Sequence, residues 1–125
     1  MSYTAAAMKD AKSASPNSGS RRARAPRMRV PNNEPVRFVV DGKPFMGYLH
    51  TISLSGGLAS ITKPVKEGTF ADIAMQTALG KVSAAIEFLH SWEEGHAFRF
   101  VYLDGKDQER LDSTLALMRK QGLSA

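Results

Sequence analysis

The sequence predicts a mainly β protein: a six-stranded antiparallel β-barrel with one C-terminal α-helix, behind a disordered N-terminal tail. Three observations predict it. Short segments rich in branched and aromatic residues alternate with period two, turn residues separate them with no helical pattern between, and only the closing segment has helical spacing. A chain of 125 residues suits one domain built round one core.

The first strand is expected over residues 35–40, where Val36, Phe38, Val39 and Val40 cluster, and Asp41-Gly42 is a two-residue hairpin signal. The return strand, residues 45–53, places Met46, Tyr48, His50 and Ile52 on one face and Gly47, Leu49, Thr51 and Ser53 on the other. Ser55-Gly56-Gly57 breaks it, residues 58–61 begin a third strand, and Lys63-Pro64 turns the chain. Residues 69–76 carry Ala71, Ile73 and Met75 on one face, and residues 81–89 carry Val82, Ala84, Ile86 and Phe88 on one face. Joined through Leu79-Gly80, they read as a second hairpin. The sixth strand, residues 96–102, follows the turn at Glu93-Glu94-Gly95 and aligns Phe98 with Phe100. Over residues 107–120, Leu111, Leu115 and Met118 recur at helical spacing. Asp107 and Glu109 open that segment, Arg119 and Lys120 close it, and Gly122 stops it, the charge order a helix dipole favours.

The net charge of +5 comes from 17 Lys and Arg against 12 Asp and Glu. Five of the bases, Arg21, Arg22, Arg24, Arg27 and Arg29, fall within nine residues, so the rest of the chain is balanced at twelve of each sign. The excess is an arm, and its natural partner is an anion. Pro26 and Pro31 bias the arm, residues 21–31, towards extended backbone. Ahead of it, residues 1–20 read as a disordered tail of turn residues without apolar periodicity, and residues 32–122 as the barrel with its helix.

The absence of cysteine excludes a disulfide framework, a thiolate metal site and a cysteine nucleophile. No segment reaches the roughly 20 apolar residues of a membrane span or the apolar core of a signal peptide, so a cytoplasmic protein is expected. His50, His90 and His96 are scattered, with no Asp or Glu at ligand spacing, and no metal or cofactor site is expected. Ser53 lies in no nucleophile elbow and has no legible His and carboxylate partners, so no catalytic residue is assigned and the protein is read as a non-enzyme. Trp92, beside the turn, is expected at the edge of the core.

An arginine-rich extended arm ahead of a Ser and Gly turn makes chemical sense as an anion site on a barrel. Arginine binds phosphate bidentately and stacks on purines. Ser53 offers a hydroxyl, and Gly56 and Gly57 let backbone amides approach a ligand closely. The same Ser and Gly residues also suit a tight turn between strands.

These residues resemble the PilZ domain family, whose signature is RxxxR before the first strand and a later [DN]xSxxG. Thr51-Ile52-Ser53-Leu54-Ser55-Gly56-Gly57 places Ser53 and Gly56 in the signature's Ser and Gly positions, followed by an apolar Leu58. The resemblance spans roughly residues 21–120 and makes Arg29 the second signature arginine. Two places depart from the pattern. The first arginine position falls at Ala25, one residue from Arg24, and Thr51 stands where Asp or Asn is usual. The resemblance implies a split β-barrel of PilZ type, a cyclic di-GMP receptor with Arg24, Arg27, Arg29, Thr51, Ser53, Gly56 and Gly57 lining the site, and a protein partner downstream. The two departures support the alternative, a PilZ-type protein-interaction module that binds no nucleotide. Binding of nucleic acid through the arm is disfavoured by the neutral body and by the lack of aromatics interleaved with the arginines.

Overall fold

The computed structural model describes residues 25–93 and 95–125. Six strands and one helix follow in order: β1 (Met28–Val40), β2 (Lys43–Ile52), β3 (Gly56–Ile61), β4 (Phe70–Thr77), β5 (Gly80–Trp92), β6 (Gly95–Tyr102) and α1 (Gly105–Lys120). All pairings are antiparallel, and the order β1-β2-β3-β6-β5-β4 closes into a barrel through β1 and β4. The expected disordered tail, residues 1–20, lies outside the described residues.

Alternation builds the core as the sequence pattern predicts. Val36 and Phe38 of β1, Ile73 and Met75 of β4, Val82, Ile86 and Phe88 of β5 and Phe98 of β6 all point inward. Phe38 stands at the centre, its ring 5.5 Å from Phe45, 5.3 Å from Phe88 and 6.2 Å from Phe98. Asp41 and Gly42 both take left-handed φ, 51° and 77°, the geometry whose twist suits a two-residue hairpin.

Two irregularities break the simple pattern. Strand β1 begins at Met28, within the expected arm, and pairs with β2 on both sides of a bulge: Arg29 faces Thr51, and Glu34 faces Leu49. Four residues of β1 thus span one of β2, with Asn32 and Asn33 at φ 62° and 45°. Asn tolerates left-handed backbone better than most side chains. The second irregularity lies on β2, where pairing to β3 slips between Leu49 and Thr51 and leaves His50 extra. His50 therefore ends the alternation expected for residues 45–53. Gly47 and Leu49 are buried on one parity, but Ile52 is buried on the other. His50 joins the two bulges: Nδ1 bonds Asn33 Oδ1 at 2.9 Å and Nε2 bonds the Ser60 hydroxyl at 2.6 Å.

Helix α1 starts two residues before the expected Asp107. Asp104 is its N-cap, accepting from the Asp107 backbone N–H at 2.9 Å. That hydrogen bond holds the Asp104 carboxyl below its ordinary value of 3.8. Leu111, Thr114 and Leu115 face the barrel mouth. Arg110 donates to the Lys81 carbonyl at 2.7 Å, and Asp107 accepts from the Ser83 N–H at 3.1 Å, so the first half of α1 is tied to β5. Trp92, expected at the core edge, is 59% exposed near the tip of the β5–β6 hairpin, with its ring 5.1 Å from His90.

Candidate ligand site

The β2–β3 turn is built round the Ser53 hydroxyl. Its oxygen accepts from the backbone N–H of Ser55 at 3.1 Å and of Gly56 at 3.3 Å, while the Ser53 N–H donates to the Gly56 carbonyl at 2.7 Å. Ser53 is only 4% exposed. Its side chain closes the turn, as the sequence allowed, and in this arrangement it does not face outward.

Gly56 and Gly57 are required by close approach. A Cβ on Gly56 would overlap the Phe98 carbonyl oxygen, and one on Gly57 would lie 2.8 Å from the Phe98 ring and 2.5 Å from the Thr51 carbonyl oxygen. The absent side chains let β3 run tight against β6, where Gly56 pairs with Arg99 and Gly57 with Phe98.

Arg29 and Thr51 are direct cross-strand partners, and Arg29 is exposed. Side chains so paired on one face stand about 5 Å apart at Cβ. The Thr51 hydroxyl is shut off from solvent and has no hydrogen-bond partner among the described residues. Arg27, also exposed, lies two residues before Arg29 along the same extended backbone. Arg24 lies outside the described residues.

Arg99 belongs to no motif legible in the sequence. It sits opposite Gly56 on β6, its side chain 52% exposed, and Nε donates to Glu87 Oε1 at 2.7 Å. Alternation between Phe98 and Phe100 places it outward, but nothing local predicts which turn it will meet. The arrangement therefore gathers Arg27, Arg29 and Arg99 round the Thr51 to Gly57 segment at the end of the barrel that α1 covers. It is suited to an anion with flat aromatic parts.

No family model and no curated protein matches the chain. Solved structures do. The chain is similar to the PilZ domain of CeSA from a cellulose-synthesizing bacterium, with TM-score 0.56 and 12% identity over 73% of this chain and 96% of that one. It is similar to the PilZ domain with c-di-GMP of YcgR from Escherichia coli, with TM-score 0.60 and 18% identity over 81% of this chain and 95% of that one. The barrel has the PilZ fold. A third similar structure is the Bacillus subtilis inhibitor of motility MotI/DgrA, with TM-score 0.64 and 12% identity; the match covers 81% of this chain and 52% of that longer one.

Arg29 stands before the first regular stretch of β1, and Ser53 and Gly56 form the turn that follows β2. Ala25, in the first arginine's place, is half-buried. Among the described residues no three His, Cys, Asp or Glu side chains are grouped to hold a metal, and no helix is long and apolar enough to cross a membrane.

Proposed function

We propose that this protein is a cytoplasmic signalling receptor of PilZ type that binds cyclic di-GMP and passes its occupancy to a protein partner, without catalysing a reaction. The observation that carries this reading is the direct register of Arg29 with Thr51, beside the turn formed by Ser53, Gly56 and Gly57, on a barrel similar to one described with c-di-GMP. Arg29 grips a phosphate or stacks on a guanine, and Arg27 and Arg24 assist from the arm. The backbone of Gly56 and Gly57 and the side chain of Thr51 form the floor, with Ser53 setting the turn's shape. Arg99 borders the same surface.

Isothermal titration of cyclic di-GMP into the wild type and Arg29→Ala tests the reading. Saturable binding is expected, weakened about 10- to 100-fold in Arg29→Ala, the equivalent of losing charge-assisted hydrogen bonds of about 1.5–3 kcal/mol. An absence of heat at high ligand concentration would reject it.

A second reading is a PilZ-type interaction module that takes no nucleotide. It is favoured by the two hydroxyls of the motif, since that of Ser53 is engaged within its own turn and that of Thr51 is sealed from solvent.

A further inference from the structure

The segment that follows α1 is joined to the arginine arm. Closure of the barrel between β1 and β4 covers only residues 36–39 of β1, so ahead of the Asn32 and Asn33 bulge that edge of the strand has no β4 neighbour. Residues 123–125 occupy it instead. The Arg29 N–H donates to the Leu123 carbonyl at 2.6 Å, the Ala125 N–H donates to the Arg27 carbonyl at 2.8 Å, and Met28 and Ser124 form an antiparallel bridge between those bonds. The Ser124 hydroxyl lies 3.8 Å from the Met28 sulfur. Arg27 and Arg29 are therefore held by a pair of backbone hydrogen bonds to the segment that α1 delivers.

The delivery is geometrically determined. Gly122, at φ 78°, ends the helix with its N–H on the Arg119 carbonyl (3.0 Å) and the Leu123 N–H on the Met118 carbonyl (3.1 Å), a Schellman turn that sends the chain back towards β1. Leu123 and Met118 then line one apolar groove with Val30, Val36 and Leu117. That groove, about 390 Å³, lies between α1 and the barrel mouth.

We infer that residues 123–125 are positioning residues for Arg27 and Arg29, so that anion binding at the arm and docking of the last turn of α1 are one coupled equilibrium. The inference rests on the receptor reading for the identity of the anion. An extended strand whose edge is unpaired samples many backbone states, and arginines carried on it must be ordered by the ligand at the ligand's expense in affinity. With the bridge formed, that ordering is already present. By linkage, a ligand that prefers the ordered arm must also stabilise the bridge, which makes α1 the element through which occupancy is felt elsewhere on the molecule.

The test uses the full chain in three forms: wild type, Ala125→Pro and Ala125→Gly. Ala125→Pro deletes the donor to Arg27 while favouring extended backbone at Ser124, and Ala125→Gly keeps the donor. Hydrogen exchange followed by NMR should show the Arg29 amide exchanging at least tenfold faster in Ala125→Pro, with Ala125→Gly close to wild type. Titration of cyclic di-GMP should show affinity about fivefold weaker in Ala125→Pro and retained in Ala125→Gly. In the wild type, cyclic di-GMP should slow exchange of the Ala125 amide. Unchanged Arg29 exchange in Ala125→Pro overturns the inference, as does altered exchange with affinity within twofold of wild type. Failure of the wild type to bind cyclic di-GMP rejects the receptor reading instead, and the exchange of Arg29 then decides the positioning role alone.

Discussion

Thr51 and Ser53 stand two residues apart at the end of β2, and their hydroxyls have opposite energetic roles. Ser53 Oγ accepts two turn N–H groups, of which that of Gly56 is buried. Ser53→Ala leaves that donor unsatisfied and should lower stability by about 1–3 kcal/mol. Thr51 Oγ1 is buried without a partner among the described residues, so Thr51→Val, which keeps the shape and removes the oxygen, should raise stability by up to about 1 kcal/mol. Urea unfolding of the two variants checks both signs at once; equal effects would mean that the turn is not organised as described. Affinity for cyclic di-GMP measured on the more stable Thr51→Val then isolates any ligand role of that hydroxyl from folding. The motif's residue types were legible in the sequence. Their hydrogen-bond duties were not, because a turn-closing serine and a ligand-facing serine have the same spacing from a glycine.

At the scale of elements, α1 depends on its cap. The Asp107 N–H lowers the Asp104 pKa, so the folded-state value lies below the ordinary 3.8. A group depressed in this way stabilises the fold above its unfolded value and ceases to do so as pH falls through the folded one. Asp104→Ala should therefore lower the melting temperature at pH 7, and the gap to wild type should close as the pH falls below 3.8. Thermal melts across pH 2–7 measure it; a gap that persists in full at the acid end would assign the effect to something other than the carboxylate. The helix itself was readable from Leu111, Leu115 and Met118, but its start was misplaced to Asp107. An Asp near a helix N-terminus is as good a dipole partner as a cap, and only the Asp107 N–H to Asp104 Oδ1 bond separates the two.

For the molecule as a whole, stability centres on the phenylalanine cluster. Phe38 is fully buried and meets Phe45, Phe88 and Phe98 from three other strands. Phe38→Ala should cost about 3–5 kcal/mol, a large part of the 5–15 kcal/mol that ordinarily holds a domain of this size together. The expected result is a lower urea midpoint with the slope retained. A loss below 1 kcal/mol would show that the barrel repacks round the cavity.

What the sequence determined by itself was whatever depends on local periodicity and local charge. The branched and aromatic cluster at residues 35–40 marked a strand, alternation over residues 69–76 and 81–89 marked strands and their apolar faces, Asp41-Gly42 marked a hairpin, and the cluster from Arg21 to Arg29 marked an anion-seeking arm. Only the tertiary structure decided where these meet. The bulge at His50 inverts side-chain parity along β2, one inserted residue being enough to exchange the two faces of a strand, while β1 keeps Met28, Val30, Val36 and Phe38 inward on both sides of its own bulge. The pairing of Arg99 with Gly56, of Arg29 with Thr51, and of residues 123–125 with the arm joins segments up to about a hundred residues apart. Such contacts form because backbone N–H and C=O groups on an open strand edge must find partners. Which segment supplies them is settled by barrel closure, which no local pattern encodes.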